Sequence, residues 1–162
     1  MSTEQEDIDG LTILGGHTQP SKNLEAFPNR TPDRYYLVSL HTNEFTCLCP
    51  KTGQPDFATI HVDYVPDQKV VESKSFKLYL WSYRNEGAFH EHVVNRILDD
   101  LQKVLDAHWI RVIGVFNIRG GIGISVEAEH TRTPDARLQW INHKSVDHKS
   151  VDHKSVDSIG KE

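Results

Sequence analysis

The strongest constraint on the fold lies between Gly87 and Ala107. There Phe89, Val93, Val94, Ile97, Leu98, Leu101, Val104 and Leu105 recur at the i, i+4, i+5, i+8 spacing that gathers apolar side chains into one helical stripe. Such a helix is stable in water only when something covers its stripe. The flanking sequence supplies the cover. Residues 57–65, FATIHVDYV, alternate, with Ala58, Ile60, Val62 and Tyr64 on one face and Phe57, Thr59, His61 and Asp63 on the other, the mark of a half-buried strand. Residues 34–42, RYYLVSLHT, are rich in aromatic and β-branched side chains and read as a strand ending at His41 and Thr42. Between these two, NEFTCLCPKTGQPD reads as a long turn around Pro50, Gly53 and Pro55. Pro66-Asp67 ends the second strand. Residues 69–83 then read as a third, with Phe76, Leu78 and Leu80 facing one way and Lys77, Tyr79 and Trp81 the other. Beyond the helix, residues 110–118 and 122–128 read as two strands joined across Arg119-Gly120-Gly121, a hairpin turn. Strands, a helix, then strands predict an α+β fold with a largely antiparallel sheet, not a doubly wound parallel one. Residues 1–33 and 129–141 lack sustained periodicity and are expected to wrap the surface.

A chain of 162 residues has room for one core. Its apolar residues are unevenly spread, 44 of 95 between Arg34 and Ala128 but 4 of 21 from Asn142 onward. The poor stretch contains HKSVD three times, starting at His143, His148 and His153. A period of five matches neither helix nor strand, and one Val per unit cannot offset the entropy of ordering the segment. Residues 1–142 are therefore expected to form one domain and residues 143–162 a solvated, disordered tail. Weak metal binding by the spaced histidines is the alternative. The net charge is −5, most of it from Glu4, Glu6, Asp7 and Asp9. No basic field argues for nucleic acid, and no apolar run approaches the roughly 18 residues of a membrane span. The acidic start, MSTEQEDIDG, is unlike a signal peptide. Two cysteines, Cys47 and Cys49, are too few for a disulfide framework, so a cytoplasmic protein with free thiols is expected.

Cys49 precedes Pro50 in a turn, and Asp56 follows seven residues later. A loop thiol with a carboxylate nearby fits a nucleophile and its acid/base partner. It fits a small buried hydrophobe too, and spacing leaves both open. Cys47 and Cys49 form C-x-C, but with only His41 close upstream the three or four ligands of a zinc site are not evident. Cys47 fits packing equally well. Glu91, beside His90 at the helix start, suits either the helix dipole or a carboxylate that accepts two hydrogen bonds from the N–H edge of a guanine-like base. Lys74, Lys77 and Arg119 could bind phosphates or lie on a solvated face. The glycines of GGIGIS, residues 120–125, lie between strands, so no Rossmann site is supported.

Two stretches together are more specific than any of these. FTCLCPKTGQPDF (residues 45–57) and VVESKSFKLYLWSYRNEGAFHE (residues 70–91), with RGGI at 119–122, closely resemble the NADPH-dependent 7-cyano-7-deazaguanine reductases, the QueF family of queuosine biosynthesis. The resemblance covers roughly residues 10–143 and leaves out the HKSVD repeat. It implies a tunnelling fold, an antiparallel sheet backed by helices and assembled into rings, with homodecamers of two pentamers and active sites between subunits. It implies reduction of the nitrile of a deazapurine to a primary amine with two NADPH and no metal, in tRNA modification but without direct nucleic-acid binding. Position by position, Cys49 matches the nucleophile that forms a thioimide and Asp56 the proton donor. Val71, Glu72 and Ser73 match the substrate-contacting segment, and His90 with Glu91 the base-recognition pair. Lys74, Lys77 and Arg119 match the cofactor-phosphate positions. A zinc-dependent cyclohydrolase of the same fold and a non-catalytic base-binding ring are the alternatives.

Overall fold

Four long strands make the main sheet of this computed structural model, which describes residues 10–12 and 18–136. They are β2 (Val38–Leu48), β3 (Pro55–Val65), β5 (Trp109–Arg119) and β6 (Ile122–Thr131), in the order β2-β3-β5-β6 with every neighbour antiparallel. Two short strands, β1 (Ala26–Pro28) and β4 (Lys69–Val71), pair separately. Helix α1 (Ser73–Trp81) runs into a 3₁₀ turn at Ser82–Asn85, and α2 (His90–Leu105) follows. The architecture is α+β, antiparallel sheets backed by helices, as the order of elements predicts. The tail expected at residues 143–162 lies outside the described residues.

The alternation of residues 57–65 becomes one side of the core. Ala58, Ile60, Val62 and Tyr64 are buried with Phe45 and Cys47 of β2, and with Ile110, Val112 and Phe116 of β5. The stripe of α2 closes over them through Val93, Val94, Ile97, Leu98, Leu101 and Leu105. Each such side chain contributes roughly 1.5–3 kcal/mol on burial. Phe89 does not join the stripe; it precedes the helix and is 58 % exposed. The opposite sheet face is polar across the strands, where Asp63 accepts from Ser39 Oγ and, at 3.0 Å, from Arg111 Nη2. Toward the hairpin end it carries half-exposed Phe57 and Val115.

Three expectations need correction. Residues 69–83 are not one strand, because Glu72 stops β4 and caps a helix. Its carboxylate accepts from the amides of Lys74 (2.9 Å) and Ser75 (2.7 Å), the arrangement of an N-cap. Phe76, Tyr79, Leu80 and Tyr83 then fall at helical spacing on the buried side. Tyr79 OH meets Asp100 Oδ2 of α2 at 2.6 Å and Tyr83 OH at 2.7 Å, tying α1 to α2. The strand expected at residues 34–42 starts later and runs on through Leu48, and a bulge between Thr42 and Phe45 absorbs the polar Asn43-Glu44. The long turn therefore shrinks to residues 49–54. Finally, part of residues 1–33 is ordered strand: β1 pairs with β4, and the Glu72 amide donates to Glu25 O at 2.8 Å.

Candidate active site

The turn between β2 and β3 presents Cys49. The Cys49 amide donates to Gln54 O at 2.8 Å and its carbonyl accepts from Gly53 N at 2.9 Å, so the turn is closed on itself. A second attachment comes from the lead-in to α2. Leu48 N donates to Glu86 O (2.8 Å), and Ala88 N donates to Leu48 O (3.0 Å). These bonds clamp the Cys49 turn against the segment that delivers His90 and Glu91. Gly87 makes the clamp possible, since a Cβ there would stand 3.0 Å from Pro50 Cα.

The two thiols differ. Hydrogen bonding by the Thr52 side chain, then by the backbone amides of Thr52 and Lys51, with the positive charge of Arg119, brings Cys49 down to about 7. Burial pushes Cys47 up to about 11, with the negative charges of Asp56 and Cys49 adding to it. Cys49 is a partly accessible thiol of lowered pKa, and Cys47 is a fully buried core residue.

Asp56 is buried (5 % exposed) opposite Cys47 in the ladder and sits at the centre of a cluster. Arg119, the last residue of β5, donates through Nη1 to Asp56 Oδ1 and through Nη2 to Gln54 Oε1. His90 Nε2 lies 3.4 Å from Asp56 Oδ2, its ring stacked on Phe116 at 3.8 Å and 11°. Arg119 reaches the cluster because Gly120 (φ 58°) and Gly121 (φ 81°) form the hairpin turn with both central residues at positive φ, which favours glycine. Asp56 beside it raises the Arg119 pKa further. The sequence reading missed Gln54 and Phe116. Gln54 lies inside the C-P-x-T-G-Q-P-D run, whereas nothing in the sequence marks Phe116 as a platform for His90.

A family model described as QueF-like protein matches residues 55–135. The NADPH-dependent 7-cyano-7-deazaguanine reductase of Syntrophus aciditrophicus (strain SB) is 58 % identical over 131 residues, covering 81 % of this chain and 94 % of that protein. The reductase of the same name from Thermomicrobium roseum is 60 % identical over 118 residues, 73 % of this chain and 92 % of its own length. The chain belongs to the QueF family. Among solved structures, the archaeosine synthase QueF-Like in the apo form is similar with a TM-score of 0.56 at 26 % identity, over 60 % of this chain and 96 % of that one.

The site residues expected from the sequence fall into two groups within this chain. Cys49, Asp56, His90 and Arg119 come together around the β2–β3 turn, and Glu91 follows His90 in the first turn of α2 with its side chain exposed. Val71, Glu72, Ser73, Lys74 and Lys77 lie instead at the end of β4 and along α1. Val71 and Glu72 are buried; Val71 N donates to Tyr64 OH at 3.1 Å, and the Glu72 carboxylate accepts from the cap amides. Ser73 and Lys77 line a cleft of about 720 Å³ with His41, Phe45, Trp81 and Arg84. Two cations against one carboxylate, Glu44, with several hydroxyls and an indole, suit a phosphate-bearing nucleotide, and the volume is that of an ordinary ligand pocket. Sequence reasoning missed Trp81 and Arg84 because it placed them at the end of a strand. No three His, Cys, Asp or Glu side chains among the described residues could hold a metal ion together. His41 stacks on His61 with ring centroids 6.1 Å apart.

Proposed function

We propose that this chain is an NADPH-dependent 7-cyano-7-deazaguanine reductase that converts the nitrile to the aminomethyl group through a thioimide on Cys49. The observation that carries the reading is a Cys49 thiol of lowered pKa and a buried Asp56 that both face Arg119, in a chain 58 % identical over 131 residues to a protein of that name.

A thiolate is the form that adds to a nitrile carbon, and a pKa of about 7 leaves a large thiolate fraction at neutral pH. Addition forms the S–C bond and turns C≡N into C=N. The proton lost by sulfur passes through Asp56 to nitrogen, giving a neutral thioimide. NADPH, when bound, supplies the hydride, and two hydrides with two solvent protons complete the change from nitrile to primary amine. Between the two reductions the Cys49 sulfur leaves, taking back a proton, so that an imine remains for the second. Glu91, with His90 beside it, is assigned to the N–H edge of the deazaguanine, where a carboxylate accepts two parallel hydrogen bonds. Lys74, Lys77 and Arg119 are assigned to the cofactor phosphates, and Val71, Glu72 and Ser73 to substrate contact.

The separation of these groups within one subunit supports an active site shared between subunits. Among the described residues the outer edges of β2 and β6 take no partner strand in the main sheet, which suits pairing between copies, and half-exposed Phe57 and Val115 suit burial in a ring. We assign the ring as a decamer of two pentamers in the cytoplasm. Among the described residues no helix is long and apolar enough to cross a membrane.

The test is oxidation of NADPH with 7-cyano-7-deazaguanine. Two NADPH consumed per nitrile, and without NADPH a covalent nitrile adduct at Cys49 in the mass spectrum, are the expected results. No nitrile-dependent oxidation, or an adduct on another residue, would overturn the assignment.

A further inference from the structure

Asp56 is held on both oxygens, and that conflicts with giving up a proton. Arg119 donates to Oδ1, and the His90 ring nitrogen faces Oδ2 at 3.4 Å. A carboxylate engaged by a guanidinium carries no proton to transfer. Yet two protons must enter for every nitrile reduced, one with each hydride. Engaged in this way Asp56 can relay the Cys49 proton straight to nitrogen, but it can hold a solvent proton only after a partner has left it.

The two partners are not equally free to leave. His90 is fixed in the first turn of α2, its ring stacked on Phe116 and its side chain 16 % exposed. Arg119 stands at a hairpin end beside two glycines, is 41 % exposed, and donates through its other nitrogen to Oε1 of the exposed Gln54. Of the remaining groups, Cys47 faces Asp56 and is buried and neutral near pH 7, and Cys49 faces Arg119 and is uncharged once bound to substrate.

Resting on the reductase reading, we propose that Arg119 is a positioning residue that exchanges Asp56 for a phosphate of the bound dinucleotide, so that each cofactor binding releases Asp56 to take up one solvent proton. Guanidinium suits the exchange, because its planar fork binds carboxylate and phosphate with the same geometry. Charge is conserved around Asp56: one guanidinium leaves and one proton arrives. The order also fits the chemistry. Before the cofactor binds, Asp56 relays the Cys49 proton to nitrogen and keeps none; afterwards it holds the solvent proton that each hydride transfer needs.

Titration calorimetry of NADP⁺ into the full chain carrying Cys49→Ala, which removes the thiolate that also faces Arg119, is repeated in buffers of different ionisation enthalpy and reads the protons taken up at saturation, every further variant being made in that parent. The parent is expected to take up as much as one proton per site. Arg119→Gln should bind NADP⁺ roughly ten- to hundredfold more weakly and lose the uptake. Arg119→Lys, which keeps the charge without the fork, should recover part of both. Asp56→Asn should bind without uptake. A purely structural role for Arg119 would weaken binding and leave the uptake unchanged, and that result would overturn the proposal. So would uptake that persists in Asp56→Asn, which would assign the proton to the cofactor's own phosphate, or no uptake in the parent. The reductase reading fails separately, by the absence of a nitrile adduct on Cys49.

Discussion

The end of β2 and the turn that follows it place two thiols two residues apart in opposite environments. Cys47, inside the strand, faces the core beneath α2, where no solvent or donor stabilises a thiolate, and its pKa rises to about 11. Cys49, one residue past the strand, is surrounded by the hydroxyl and amides of its own turn with a guanidinium nearby, and falls to about 7. The side chains are identical. What differs is whether the backbone is still paired in the sheet or has turned its N–H groups toward the sulfur. A hairpin end is thus a place where reactivity arises within two residues of an inert core, provided something rigid holds the turn.

The comparison breaks most directly by removing each sulfur in turn. Cys49→Ala is expected to lower turnover on the order of 10⁴-fold or more, since no other residue supplies the nucleophile, while 7-cyano-7-deazaguanine still binds in equilibrium measurements. Cys47→Ala leaves a small cavity in the core and should keep turnover within a few-fold, losing about 1–2 kcal/mol in denaturant unfolding. Comparable activity losses for the two would show that Cys47 belongs to the chemistry. A smaller difference is expected in alkylation by iodoacetamide, followed by mass spectrometry. The Cys49 rate should rise as pH increases through about 7, with about a tenth of the maximal thiolate one pH unit below, and then level off. Cys47 should stay unmodified until the protein unfolds. The two pKa values differ by about 4, but a less basic thiolate is also less nucleophilic, so charge alone leaves roughly 10²-fold in favour of Cys49 near pH 7. Burial adds to that. Equal rates in the folded protein would mean that β2 opens at Cys47.

Much of this was legible in the sequence, for identifiable reasons. The alternation at residues 57–65 and the stripe on α2 survive because each buries one whole face, which ties pattern to structure. Residues 73–81 were not legible as a helix. In nine residues, Phe76, Leu78 and Leu80 satisfy a period of two as well as Phe76, Tyr79 and Leu80 satisfy helical spacing, and the deciding signal is the capping by Glu72. β2 was cut short because a bulge lets polar Asn43 and Glu44 pass without ending the strand. At the site, Cys49 and Asp56 could be paired by their spacing. Arg119 could be read as a cation, but its contact with Asp56 joins positions 63 residues apart and follows only from the β3–β5 pairing.

The smallest expected effect concerns what holds the reactive turn. Gly87 has no side chain where its Cβ would meet Pro50 Cα at 3.0 Å and Pro50 Cβ at 3.4 Å. Both neighbours are backbone-fixed: Pro50 follows Cys49 in a closed turn, and Gly87 lies between the two residues that hydrogen-bond Leu48. In Gly87→Ala the extra methyl can be accommodated only if the turn and the lead-in to α2 separate by a few tenths of an ångström. The core beneath is untouched, so unfolding free energy should fall by no more than about 1–3 kcal/mol. That separation also moves Cys49 relative to His90 and Glu91, and catalysis is sensitive to small misplacements of a nucleophile. About a tenfold drop in kcat/KM is expected, carried mostly by kcat, with the Cys49 alkylation profile still centred near 7 because Thr52 and Lys51 move with the turn. If kcat is unchanged, the clamp on Leu48 does not set the position of the thiol. If instead the alkylation profile moves upward, the turn depends on its contact with Gly87 for its internal hydrogen bonds as well as for its place.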